Sequence, residues 1–249
     1  MESLPKFVLG LAACFGLPAF ALVLKPYAAE RNRQPIPYTS TETHPDLGQE
    51  VDTEFYERPD LKGVVYPAAT AGSKTRGQQV YAHNGCAQCH TQIIRPSFIG
   101  VDQYKKGWGG DQESKSMVET RESNAWDYLG EDFAMIGQRR IGPDLANAGY
   151  RFKSATEIHA MLYAPRAIHS WSNHPTFKSL YEVVDIESAV LSDAVKLPSS
   201  VSIPEGKQVV PTSDAKALAE YILSLKRDLP LPISLSGKSV AEKKAQASK

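Results

Sequence analysis

A surplus of charge is the first thing this sequence lacks: Lys and Arg number 28, Asp and Glu number 28. A nucleic-acid binder needs a basic excess to neutralise phosphates, so that class is set aside and no nucleic-acid partner is expected. Cysteine is scarce too, with three in 249 residues. Two of them fall in one short run and the third, Cys14, lies in an apolar stretch, so no disulfide framework is implied. Long apolar runs are missing everywhere except the amino end. With 42% apolar and 22% charged residues, the chain is neither disordered throughout nor a multi-span membrane protein. Its length suits one packed domain with appendages, or at most two small domains.

The single apolar run, Phe7 to Leu24, holds 18 residues without a charge and rises ~27 Å as a helix, about the thickness of a bilayer core. It reads as a transmembrane anchor over residues 1–24, tolerating Pro18 and placing Tyr27 at the interface. A cleaved signal peptide fits less well, because Lys25 and Pro26 follow the run directly. Leu11-Ala12-Ala13-Cys14 is similar to a lipoprotein box, but the apolar run continues ten residues past Cys14, where lipoproteins turn polar. Lys6 before the run and Lys25, Arg31 and Arg33 after it lean toward a cytoplasmic carboxyl end. Residues 25–73 are rich in proline, threonine and charge without a sustained period, which predicts an extended linker; His44 within it reads as a solvated loop histidine. Residues 229–249 read as a flexible tail.

The chemistry is carried by Cys86-Ala87-Gln88-Cys89-His90, a CxxCH sequence. Two thiols two residues apart can add to the two vinyl groups of one porphyrin, and the adjacent imidazole then meets the iron as proximal ligand. A zinc site would need a second ligand pair, and no cysteine outside the apolar run supplies one. A thioredoxin-like dithiol would need a βαβ setting, whereas a helix leads into this motif. The cofactor expected is therefore one covalent haem c. Haem attachment places the domain on the outer, periplasmic side of a bacterial cytoplasmic membrane, against the weak charge signal.

Three helices are expected around that haem. One includes Arg76 to Tyr81, leading into the motif. One starts at Ser154-Ala-Thr-Glu157, a capping-box pattern, and stops before Pro165. The last runs from Asp214, with Leu218, Tyr221, Ile222 and Leu225 on one stripe. The first and last resemble the paired terminal helices of class I cytochromes c, which implies that Gly77 and Tyr81 touch the face carrying Tyr221. Ile141-Gly142-Pro143-Asp144-Leu145 resembles the loop of those cytochromes whose proline carbonyl accepts a hydrogen bond from the proximal imidazole.

Four further motifs occur in order: Gln92-Ile93-Ile94-Arg95-Pro96, then Arg140 through Ala146, then Leu162-Tyr163-Ala164-Pro165-Arg166, then Ser172-Asn173-His174-Pro175. Together they resemble the mono-haem cytochrome c subunit of cbb-type haem-copper oxidases, the FixO or CcoO family, over residues 74–228 plus the anchor. The resemblance implies a mainly α fold, a class I cytochrome c domain with an insert at 98–139, and basic residues Arg95, Arg140 and Arg166 suited to haem propionates. Each arginine taken singly is as readily a solvated or acid-paired side chain. The family's fourth motif reads Ser-Asn-Met-Pro with the methionine as distal ligand; here His174 stands in its place. Either His174 ligates the iron, or Met161 or His169 takes over, or the position stays open. A second imidazole in place of methionine lowers the reduction potential. Met161 also reads as a core methionine, Met117 and Met135 carry no ligand context, and His83 and His159 read as surface or packing residues. The insert at 98–139 reads as a charged, tryptophan-containing surface segment for docking.

Function follows from the same residues. The expected role is single-electron transfer as a subunit of a respiratory oxidase, between a donor or acceptor cytochrome and membrane subunits, with the lipid bilayer as a further partner and no substrate chemistry on the chain itself. The alternatives are a haem protein with an open or labile distal site that binds a small molecule, and a structural subunit with an idle haem.

Overall fold

The computed structural model describes residues 3–31, 34–37, 41–43, 50–52, 64–68, 71–109, 120–186, 191–229 and 231. His44, Met117 and the tail from 232 onward lie outside the described residues. Helix α1, Ser3–Ala28, is long and apolar enough to cross a membrane. Pro18 carries no N–H, and the turns flanking it, Ala12–Gly16 and Phe20–Leu24, are wound as π-helix. Helical backbone continues through Lys25–Arg31, past the expected end at Leu24. Leaving the apolar layer ends the hydrophobic run but not the helix, since Lys, Ala, Glu and Arg are all good helix formers.

The linker region contributes short antiparallel pairs: β1, Ile36–Pro37, beside β4, Val65–Tyr66, and β2, Thr41–Thr43, beside β3, Glu50–Asp52. Its carboxyl end is tied down. Tyr66 is buried against Trp126, Leu229 and Leu231 and accepts a bond from Arg121 Nη2 at 3.1 Å. The first residues of the expected tail are thus packed against the domain.

The domain is mainly helical. Helix α2, Ser73–His83, crosses α6, Ser213–Ser224, and the crossing is set by Gly77. A Cβ there would lie 2.1 Å from the Ala217 carbonyl oxygen and 2.7 Å from Tyr221 Cβ, so only glycine lets the backbones meet. One turn on, the Tyr81 and Tyr221 rings pack edge-on with centroids 5.6 Å apart. The expected stripe on α6, Leu218, Tyr221, Ile222 and Leu225, is buried throughout. Thr212 caps this helix by accepting from Ala215 N at 3.3 Å, while Asp214 pairs with Arg76 at 2.8 Å.

Helices α3, Ala148–Arg151, and α4, Ala155–Tyr163, pack on α6. The capping box expected at Ser154 is not made: the Ser154 side chain makes no capping bond, and Glu157 accepts from Lys153 N, one residue before the cap, at 3.1 Å. Helix α4 ends at Tyr163, and Pro165 opens α5, Pro165–Ile168, where its missing N–H costs nothing. Beyond it, β5, Tyr181–Asp185, pairs antiparallel with β6, Lys207–Pro211, a ribbon the helical reading did not anticipate. Val183, Val184, Val209 and Val210 suit a pleated surface.

The segment 98–139 is more than a surface insert. Asp102, Thr120 and Asp127 within it are buried, Asp102 as the acceptor for two arginines and Asp127 as the partner of Arg121 at 2.7 Å. Charged residues that look solvated in sequence are here paired inside the domain.

Candidate haem site

Helix α2 stops at Asn84, Gly85 takes a left-handed conformation at φ 70°, and a single 3₁₀ turn, Cys86–Gln88, follows. Gly85 supplies that turn without strain. The turn closes with His90 N donating to Cys86 O at 3.0 Å, which gathers Cys86, Cys89 and His90 into one compact loop. Both cysteines are unpaired and half-buried. Burial pushes the Cys86 thiol up to about 11, the opposite of the lowered value that activates a redox dithiol. Among the described residues no group of three or more His, Cys, Asp or Glu could hold a metal ion.

The His90 ring lies against Gly142, where a Cβ would fall 2.2 Å from its Cε1. Its Nδ1 is 2.8 Å from the Pro143 carbonyl oxygen. A carbonyl only accepts, so Nδ1 carries the proton and Nε2 presents its lone pair. The loop that provides this carbonyl is pinned. Gly142 N donates to Cys89 O at 2.9 Å and Leu145 N to Thr91 O at 2.7 Å. The Asp144 carboxylate accepts from Thr91 Oγ1 at 2.6 Å, Ile93 N at 2.9 Å and Ala146 N at 2.8 Å.

His174 is arranged in the same way. Its Nδ1 is 2.8 Å from the Pro175 carbonyl oxygen, its backbone N–H donates to Ser172 Oγ at 3.2 Å, and Phe177 packs edge-on against the ring at 5.6 Å. The His90 and His174 rings face each other with centroids 6.0 Å apart and planes inclined at 48°. Burial lowers the pKa of both imidazoles below the ordinary histidine value, so both are neutral at pH 7 and able to bind a metal.

A cavity of about 390 Å³ opens between the two rings. Leu145, Phe152, Ile158, Leu162 and Ile222 form an apolar wall, and Cys89 reaches it as well. Met161 and His169, the other candidate distal ligands, also line it, but His169 is stacked on Trp171 at 5.2 Å, and only His174 is set ring to ring with His90.

The arginines are distributed differently from expectation. Arg95 grips Asp102 through Nε at 2.9 Å and Nη2 at 3.0 Å, and Arg140 Nη1 reaches the same carboxylate at 2.7 Å. Neither lines the cavity. Burial alone would push the Asp102 carboxyl up, but hydrogen bonds from the Arg95 side chain and backbone and from Arg140 outweigh it and hold the group well below the usual carboxylate range. Arg166 donates from Nε to Ser172 O at 3.2 Å and lines a neighbouring recess instead. The guanidinium that does line the haem cavity is Arg151, which the sequence reading passed over. It donates to the carbonyls of Gly107, at 3.1 Å, and Asp144, and among the described residues no carboxylate forms an ion pair with it. Burial lowers its pKa, with Asp144 opposing, yet a guanidinium stays charged in any protein setting. No local signal marks Arg151: its place in the cavity comes from the fold of α3.

The residues fit a haem. The motif loop offers two thiols and an imidazole, a second imidazole faces the first, the walls are largely apolar, and one half-buried guanidinium, Arg151, lines them. A comparison with curated proteins found no match. A comparison with protein families matches residues 70–229 to the family described as cytochrome c oxidase, mono-heme subunit/FixO. With more than half its length inside that match, and with the site just described, the chain belongs to the FixO family of mono-haem cytochrome c oxidase subunits.

Proposed function

We propose that this subunit carries its haem covalently on Cys86 and Cys89, with His90 and His174 as the two axial ligands, and moves single electrons within the oxidase. The observation that carries this reading is the 6.0 Å between the ring centres of His90 and His174. Two imidazoles sharing one metal put their centres about 6 Å apart, since each nitrogen sits about 2 Å from the metal and about 1 Å from its own ring centre. The order of α2, motif loop, proline-bearing loop, α4 and α6 supports a class I cytochrome c topology. Anchoring by α1 in a bacterial cytoplasmic membrane, with the domain on the periplasmic side, follows from where haem is attached.

The bound haem supplies a one-electron couple whose two states need no change of ligand. The chain does the rest. Pro143 and Pro175 hold each imidazole in one tautomer and orientation and make each nitrogen a stronger donor. The apolar wall excludes water. Arg151 offers its charge to a haem carboxylate, the role that sequence resemblance had assigned to Arg95, Arg140 and Arg166. An open or labile distal site would instead make the protein a small-molecule binder; the Pro175 carbonyl and Phe177 hold His174 in place, which favours the closed site.

Mass spectrometry of the purified chain, with and without Cys86→Ala and Cys89→Ala, tests the attachment. A mass increment of one haem that survives acid extraction is expected, and its absence from the parent chain overturns the proposal. The reduced protein is expected to stay indifferent to carbon monoxide; ready binding would favour the open site.

A further inference from the structure

A second cavity, of about 440 Å³, shares Asn173, His174 and Pro175 with the haem cavity. Its wall carries Arg166 and Lys178, and among the described residues no Asp or Glu lines either cavity. Arg166 contacts the Ser172 carbonyl and Lys178 Nζ sits 5.6 Å over the Tyr163 ring. Among the described residues neither has a carboxylate within ion-pair distance. Two cations thus face an open recess beside the proposed axial ligand with no counter-charge of their own.

Large apolar side chains surround the neighbouring mouth. Trp171 is 79% exposed and Ile141 68% exposed, and both line the haem cavity. Trp171 is braced by the His169 ring stacked on it, so the indole is ordered before anything binds. Exposed tryptophan beside arginine, with an apolar centre and a charged rim, is the make-up of a protein-binding hot spot. An electron must enter or leave close to the haem, and this is where the haem cavity opens.

We infer that this face is the docking site of a redox partner protein whose own face is acidic. An aspartate or glutamate of the partner enters the recess lined by Arg166 and Lys178, and its apolar centre covers Trp171 and Ile141. One electron crosses; no bond is made or broken. The inference rests on the electron-transfer reading above and adds the charge and chemistry of the partner. A bilayer surface also attracts cations and tryptophan, but it presents its headgroups as a plane. Cations set in the wall of a recess match a protruding side chain instead.

The test is stopped-flow reduction of the full-length, haem-loaded protein in detergent by reduced flavodoxin, a small acidic electron donor. The rate constant is expected to fall as salt rises. Arg166→Glu with Lys178→Glu should lower it at least about tenfold and reverse the salt dependence, and Trp171→Ala should lower it severalfold at every salt concentration. Reduction by a neutral hydroquinone should be the same in the Arg166→Glu, Lys178→Glu double variant as in the parent. A double variant reduced by flavodoxin as fast as the parent overturns the inference. So does loss of haem from that variant, which would assign the two cations to the haem's own carboxylates. Loss of binding to phosphatidylglycerol vesicles with an unchanged flavodoxin rate overturns it as well, since the face would then meet the membrane. A parent protein that the hydroquinone cannot reduce would instead end the electron-transfer reading itself.

Discussion

His90 and His174 face each other across one cavity, ring centres 6.0 Å apart, each with Nδ1 turned to the carbonyl of a proline. The two prolines come from different loops, Pro143 before α3 and Pro175 after α5, so the symmetry is built by the fold. Replacing His174 by methionine exchanges a strong donor for a sulfur that favours ferrous iron. The haem of His174→Met is expected to stay low-spin, with a potential raised by at least ~59 mV, a factor of ten in the one-electron equilibrium. Spectroelectrochemical titration of both proteins measures this, and an unmoved potential would count against His174 as ligand.

Gly142→Ala places a methyl group 2.2 Å from His90 Cε1, well inside contact distance. The imidazole cannot retreat without losing Pro143. The variant is expected to have a lowered haem-to-protein ratio and a changed axial spectrum; normal loading would show that the ring has room to move.

Gly77→Ala sets two effects against each other. Alanine favours a helix over glycine by about 1 kcal/mol, but its Cβ would stand 2.1 Å from the Ala217 carbonyl oxygen. Overpacking costs about 1–3 kcal/mol, and more where backbone must give way. The clash is expected to win, lowering the denaturation midpoint, and a stabilised variant would mean that α2 and α6 can slide apart.

Asp102 predicts the acid response. Its carboxyl titrates below its unfolded value, so the stability it contributes is complete above the unfolded pKa of about 4 and is lost as pH falls through the lower folded value. Asp102→Ala leaves Arg95 and Arg140 without their shared partner, at a cost below the ~3–5 kcal/mol of a fully buried pair broken from one side, because the Arg95 side chain is 39% exposed and that of Arg140 17%. Denaturant midpoints from pH 7 down to pH 3 should show the parent losing stability at the acid end and the variant starting lower with a shallower fall. Parallel curves would remove Asp102 from the account.

Arg151 is a half-buried cation on the haem cavity, and a nearby positive charge favours the reduced, more negative state of a redox centre. Arg151→Gln is expected to lower the reduction potential by tens of millivolts, on the scale of ~59 mV per tenfold change, with the axial spectrum unchanged. The same titration applied to Arg95→Gln should move it less, because that side chain is engaged by Asp102 away from the cavity.

What could be read in advance was what depends on neighbours along the chain. The CxxCH loop is fixed by its own spacing and the buried stripe of α6 by its helical period, while the meeting of Gly77 and Tyr81 with Tyr221 was legible through likeness to the paired terminal helices of class I cytochromes c. The proline carbonyl on His90 was legible only through likeness to a known loop. Pairings between distant segments were not legible. Nothing local tells that Tyr181–Asp185 finds Lys207–Pro211, or that Asp102, in a stretch resembling solvated surface, gathers Arg95 and Arg140. Nor does anything local tell that Arg151 lines the cavity of His90 while Arg95 and Arg140 turn to Asp102: which guanidinium faces a cavity depends on the path of the backbone. At Ser154 the pattern marked the start of the helix, but Glu157 takes the N–H of Lys153 in place of the cap residue's own.

The central claim is that two imidazoles hold one iron. Low-temperature electron paramagnetic resonance of the oxidised protein beside His174→Ala reads it directly. A low-spin bis-imidazole signal that is lost in the variant is predicted; the same signal in both proteins would contradict the account.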